Sequence, residues 1–187
     1  MSAESGTFLG EPKGDPVEIV PYDPTWPQRF EQEKTRLSRA LGENALRIDH
    51  VGSTAVPGLD AKPVIDAQIS VASLDDESSY LPQLRSLGLS LRYRGEDRRF
   101  FRPPEYEPRT LHVHVCESGS RPEREHLLFA AYLRAHPARR DAYAALKRDL
   151  ARRFRDQRED YLASKAPFIQ QTLILAERRF AHTKMSL

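Results

Sequence analysis

The segment from Val51 through Gly52-Ser53, Val56-Pro57-Gly58 and Ala61-Lys62-Pro63 to Asp66 constrains this chain more than any other stretch. It closes one hydrophobic element, turns at Gly-Ser, crosses a short Pro/Gly connection, and enters an apolar run carrying a single carboxylate. A Gly-Ser turn offers backbone N–H groups and a hydroxyl to a phosphate. An aspartate in an apolar strand is costly unless it meets a metal, a proton or a partner. Together they point to a site for a phosphorylated ligand and a divalent cation, centred on Gly52, Ser53 and Asp66.

Strand periodicity extends this site. Residues 45–51 and 64–71 read as the strands on either side of the connection, and alternation sets Asp66 and Gln68 on one face. Residues 110–116 alternate cleanly, with Leu111, Val113 and Val115 on one side and His112, His114 and Cys116 on the other. Two imidazoles and a carboxylate suit zinc, manganese or ferrous iron. Alternatively, one histidine serves as a general base. Residues 89–93 and 99–102 read as a hairpin around Gly95-Glu96-Asp97, with Arg98, Phe100 and Arg102 sharing a face. His50 precedes the Gly-Ser turn and either faces the same region or packs beneath it.

Elsewhere, residues 17–20 read as a short strand ended by Pro21. Phe30, Leu37 and Leu41 recur at helical spacing, which gives a helix over 27–41 with Thr25 as its cap. Ser73-Leu74-Asp75-Asp76 opens a helix that runs to about residue 87 and stops at Gly88. Three further helices are expected over 123–134, 138–156 and 158–182, the first stopped by His136-Pro137. The order is a mixed half followed by a helical half. It predicts one α+β domain over 16–187, helices closing one side of the sheet. Residues 1–15, small and polar, read as a mobile tail.

Composition narrows the function. A chain of 187 residues has room for one domain with a real core. A net charge of +2 implies no strong polyelectrolyte partner, and no basic helix interleaved with aromatics points to nucleic acid. One cysteine permits no intrachain disulfide. No apolar run approaches the roughly 20 residues that span a bilayer, and the N-terminus lacks a signal-peptide core. These features predict a cytoplasmic protein. Gly-x-Gly-x-x-Gly and Walker-type turns are missing from the sequence.

The Gly-Ser segment and Leu111-His112-Val113-His114-Val115 closely resemble the GrpB family of the nucleotidyltransferase superfamily. Weaker matching pieces are Ile19 to Pro27, Tyr132 to Pro137, Tyr143 to Lys147 and Tyr161 to Lys165. The resemblance runs from Val17 to about Phe168. It implies a nucleotidyltransferase-like fold, a short mixed sheet with a helical C-terminal half. It implies a nucleotide-dependent transferase that takes ATP or another NTP with Mg²⁺, Mn²⁺ or Zn²⁺ being alternatives, and acts on a small hydroxyl, amine or carboxylate acceptor. An activated carboxylate going on to an amide would give a ligase-like outcome. Asp66, His112 and His114 are then the catalytic and metal-binding candidates, and Gly52, Ser53 and Lys62 the phosphate-binding ones. His50, Gln68, Arg102, Tyr132, Lys147 and Lys165 are candidates for the pocket wall. Two departures matter. Superfamily members carry a second acid where Gln68 stands, and relatives often carry Phe-Arg-Asp-Tyr where this chain has Phe129-Ala130-Ala131-Tyr132. The first departure favours a non-catalytic module binding a nucleotide or CoA precursor, since the family's domain is also found joined to dephospho-CoA kinase. A His/Asp metal hydrolase is the third option.

Overall fold

The computed structural model describes residues 6–9 and 16–184. Six strands form one mixed sheet: β1 (Gly6–Phe8), β2 (Arg47–Val51), β3 (Ile65–Val71), β4 (Ser90–Gly95), β5 (Arg99–Arg102) and β6 (Leu111–Glu117). Their order across the sheet is β1-β4-β5-β6-β3-β2. β3 and β6 pair in parallel, and every other neighbouring pair is antiparallel. Among the described residues the α-helices are α1 (Trp26–Leu41), α2 (Leu81–Ser86), α3 (Arg121–Ala135), α4 (Pro137–Arg153) and α5 (Arg158–Lys184). The expected α+β architecture, a short mixed sheet with a helical C-terminal half, is present.

The alternation seen in the sequence decides which side of the sheet is the core. Ile65, Ala67, Ile69 and Val71 of β3 lie level with Leu111, Val113 and Val115 of β6, and all are buried beside Phe101. Trp26, Phe30, Leu37 and Leu41 of α1 cover them, together with Leu84 of α2. Each such side chain contributes roughly 1.5–3 kcal/mol by leaving water. The opposite face is polar, and the C-terminal helices close over it, so the sheet is covered on both sides. Smaller apolar clusters knit that second layer: Val56 and Leu59 with Leu133 and Tyr143, and Val17 with Leu150 and Tyr161.

Several boundaries differ from expectation for local reasons. Gly6–Phe8, read as part of a tail, pairs with β4 as an edge strand; residues 1–5 and 10–15 lie outside the described residues. Residues 17–20 build no strand; only Val20 bridges to Ala61 before Pro21. Thr25 does stand at the N-cap position of α1. Its side chain makes no capping bond, and Asp23 Oδ1 instead accepts the Thr25 N–H at 2.8 Å. The helix expected after Ser73 is split into one tight turn, Glu77–Ser79, and the short α2. Pro82 falls in the first turn of α2, where its missing N–H costs no intrahelical bond, so the helix begins there. Pro167 sits inside α5, one helical turn beyond Ala163, and the helix continues past it.

Candidate functional site

β3 places three polar side chains, Asp66, Gln68 and Ser70, on the face away from the main core, and each finds its own partner. Asp66 Oδ1 lies 3.0 Å from His112 Nδ1 and 3.5 Å from His114 Nε2. The parallel register makes this possible, setting Asp66 opposite His112 and Gln68 opposite His114. Burial alone would raise the Asp66 carboxyl, but the two imidazoles outweigh it and hold it well below the usual carboxylate range. Burial depresses His112 more than Asp66 restores it. The ring is therefore neutral at pH 7, with its proton on Nδ1 towards Asp66 and its Nε2 an acceptor. His112 Nε2 and His114 Nδ1 are buried without a hydrogen-bond partner. Phe100 lies 5.1 Å from each ring.

Gln68 is committed elsewhere. Its Oε1 meets His126 Nδ1 at 2.6 Å and its Nε2 donates to the Glu123 carbonyl at 3.3 Å. Ser70 Oγ donates to the Glu123 carboxylate at 2.5 Å, which also accepts from Arg47 at 2.9 Å and from the Gly119 N–H at 2.7 Å. Glu123 and His126 stand one turn apart on α3, so they clamp the helix onto the polar strand. Burial pushes His126 down to about 3 and keeps it neutral. The sequence does not single out His126. Its only signal is the spacing of Glu123 and His126 against the polar alternation of β3.

The Gly-Ser turn sits at the end of β2. Gly52 has φ +69°, and a β-carbon there would come within 2.3 Å of Asp66 Oδ2. Ser53 Oγ accepts a hydrogen bond from Lys147 Nζ at 2.9 Å, and Nζ also reaches the Asp60 carbonyl at 2.5 Å. Lys147 packs over the Tyr143 ring at 4.7 Å. Burial, helped by Lys165, lowers Lys147 to about 7. Burial lowers Lys165 to about 8, with Asp66 opposing, and its Nζ lies 4.6 Å over the Tyr161 ring.

These groups share one cavity of about 530 Å³. Ser53, Asp66, His112 and His114 line its sheet side, and His126 of α3 joins them. Among the described residues the lining also carries five basic side chains, Lys62, Arg98, Lys147, Arg158 and Lys165, and one carboxylate, Asp66. Four expected wall residues lie elsewhere. His50 packs beneath, stacked on Phe30 at 4.6 Å with Nε2 3.0 Å from Thr54 Oγ1. Gln68 is sealed behind His126. Arg102 turns to Glu105 at 3.2 Å. Tyr132 stacks on His136 at 3.8 Å.

The donor set does not form a metal shell. Among the described residues no group of three or more His, Cys, Asp or Glu side chains is placed to hold an ion. Asp66 Oδ1 is taken by two imidazoles and the Gln68 carbonyl by a third. Asp66, His112 and His114 thus meet in one cluster, His112 hydrogen-bonded to the carboxylate and His114 within 3.5 Å of it.

The profile of the GrpB protein family matches residues 16–174. This chain belongs to the GrpB family. Its GrpB relatives include the UPF0157 protein BH1888 of Halalkalibacterium halodurans, 37% identical over 166 residues, which cover 87% of this chain and 84% of that one. The crystal structure of conserved protein GrpB from Enterococcus faecalis matches with a TM-score of 0.78 at 30% identity, covering 87% of this chain and 99% of that one. A dephospho-CoA kinase of Mycobacterium tuberculosis H37Rv is 32% identical over 179 residues, 82% of this chain but only 44% of the kinase. The GrpB-like region is therefore less than half of that enzyme. Among the described residues no helix is long and apolar enough to cross a membrane.

Proposed function

We propose that this GrpB protein binds a phosphorylated small molecule, a nucleotide such as ATP first among them, in the cavity between the sheet and α4–α5, and transfers a group from it to a small acceptor. The observation that carries this reading is the make-up of the cavity wall: among the described residues its lining holds five basic side chains and one carboxylate. Basic side chains facing one space favour an anion with several charges. Ser53, Lys62 and Lys165 hold the phosphates. His112 Nε2 takes the proton of the incoming hydroxyl or amine. Asp66 fixes the Nδ1–H tautomer and stabilises the imidazolium that results. Any Mg²⁺ arrives with the polyphosphate, since the side chains offer it no preformed cage.

A second reading has its own observation. Gln68 stands where a second acid would stand, and both ends of its amide are spent on His126 and Glu123. That suits a module that binds a nucleotide or CoA precursor without turning it over. The GrpB-like region of a dephospho-CoA kinase fits such an accessory role.

Calorimetry of the full chain with ATP, other NTPs and CoA precursors tests the binding step. Saturable binding that weakens with salt supports the reading, and the absence of binding by every phosphorylated compound sinks it. Release of pyrophosphate in the presence of small acceptors separates transferase from module.

A further inference from the structure

We infer that Ser53 and Lys147 form a serine–lysine dyad in which the Ser53 hydroxyl is a nucleophile towards phosphorus, carrying a covalent phosphoester rather than only cradling a phosphate. The inference rests on the anion-binding reading of the same cavity and goes beyond it. Three features of the geometry carry it. Ser53 lines the cavity and sits directly after a glycine in the left-handed region, so the turn presents its hydroxyl at the wall. Lys147 Nζ lies 2.9 Å from Ser53 Oγ, within proton-transfer distance. The Asp60 carbonyl at 2.5 Å and the Tyr143 ring at 4.7 Å fix the amine in place.

Lys147 faces Lys165 on α5 and Arg148 on its own helix, and is opposed by Asp60 in the connecting loop and Asp66 on β3. Burial is the largest influence, and it brings the amine to about 7, where the neutral base is well populated in a cell. Neutral Lys147 donates one N–H to the Asp60 carbonyl and accepts the Ser53 hydroxyl proton.

The step balances with groups already named. Ser53 Oγ bonds to phosphorus as the bond from phosphorus to the leaving group breaks. The hydroxyl proton passes to Lys147, and the leaving group departs with the electron pair, as pyrophosphate from a nucleoside triphosphate. Lys62 and Lys165 meet the charge that builds on the phosphoryl oxygens. An acceptor hydroxyl or water then attacks phosphorus as its proton passes to His112 Nε2, and Ser53 leaves with the proton that Lys147 returns to it.

A fluorophosphonate such as diisopropyl fluorophosphate probes this directly with the full chain. The expected result is one stable adduct in the intact mass, mapped to Ser53 and lost in Ser53→Ala. Its rate should rise about tenfold from pH 6 to pH 8, following a base that titrates near 7. Lys147→Met should cut the rate at least tenfold and flatten the profile. Circular dichroism melts identify a folded variant, and if Lys147→Met does not fold, the wild-type pH profile decides. An unlabelled Ser53, or Ser53 labelling that is flat between pH 6 and 8, overturns the inference, as does labelling indifferent to Lys147→Met in the folded variant. ATP binding without Ser53 labelling would overturn the dyad alone and leave the anion-binding reading standing.

Discussion

Gly52 and Asp66 are packed so closely that the glycine leaves no room for a β-carbon: one built there would lie 2.3 Å from Asp66 Oδ2. The Gly-Ser turn and the buried carboxylate are therefore one fitted unit, and the side chain absent from residue 52 lets Asp66 sit between turn and imidazoles.

Gly52→Ala should accordingly do more damage than an ordinary turn substitution. It adds a clash with Asp66 to the cost of a left-handed φ of +69°. We expect a loss on the order of 2 kcal/mol, visible as a lower Tm. A Tm within a degree of wild type would mean that Asp66 moves freely and the fitted unit does not exist.

Asp66→Asn should separate binding from chemistry. It removes the one carboxylate of a cationic cavity, so a polyphosphate should bind as tightly or more tightly in calorimetry. It also removes the charge that steadies His112, so turnover should fall about a hundredfold or more. Loss of binding in a folded variant would give Asp66 the role of ligand contact instead.

Gln68→Glu is the substitution that a two-acid site would welcome. Here the amide donates to the Glu123 carbonyl at 3.3 Å, and a carboxylate would face that oxygen with no proton to give. The expected outcome is destabilisation on the order of 2–3 kcal/mol, read from chemical denaturation, with no gain in divalent-metal affinity. Unchanged stability together with new Mg²⁺ binding would contradict this account.

Lys165→Met keeps the length of the stem and removes the charge. Binding of a phosphorylated ligand should weaken about tenfold, roughly 1.4 kcal/mol, and the dependence of binding on salt should become shallower. Equal salt slopes for wild type and variant would place Lys165 outside the binding site.

Acid should loosen the fold before any carboxylate titrates. Unfolded histidines bind protons near 6.5, whereas burial lowers His50 to about 4 and His126 to about 3. Between those values the unfolded chain holds more protons, so the stability is complete above about 6.5 and is lost as pH falls towards 4. Asp66 acts in the same direction, but only below the ordinary carboxylate range. Each histidine should account for on the order of 1–2 kcal/mol between pH 7 and pH 5. His50→Gln lies outside the cavity and should flatten the pH dependence of Tm without altering ligand binding. An unaltered slope in that variant would show that His50 is not buried neutral.

The alternation of residues 64–71 and 110–116 made the sheet readable, because a strand with one apolar face leaves a period of two in the chain. That pattern placed Asp66 with Gln68 on a face of one strand and His112 with His114 on a face of another. It said nothing of register, and the parallel pairing that sets Asp66 opposite His112 was supplied by the fold. Gln68 was misplaced for a related reason. It shares a face with Asp66, but α3 covers that end of the strand, and the depth of a covering helix leaves no mark in strand periodicity. His50 fell on the core side because β2 pairs antiparallel with β3, setting it beside Ala67. Lys147 and Lys165 were chosen from the family resemblance alone. Helical periodicity could not tell them from surface lysines, since an amine buried at 2.9 Å from a distant serine looks, in sequence, like any other amine.

Ser53 and Lys147 are 94 positions apart, and Asp66 and His112 are 46 apart. A ribosome must therefore release most of the chain before either pair can meet. The Asp66 carboxylate and the Ser53 turn wait through synthesis of the whole central sheet, and the amine on α4 comes late. An interrupted chain that ends before α4 carries half a pocket and no dyad. Any nucleophilicity that Lys147 lends to Ser53 thus waits until α4 has been made and packed.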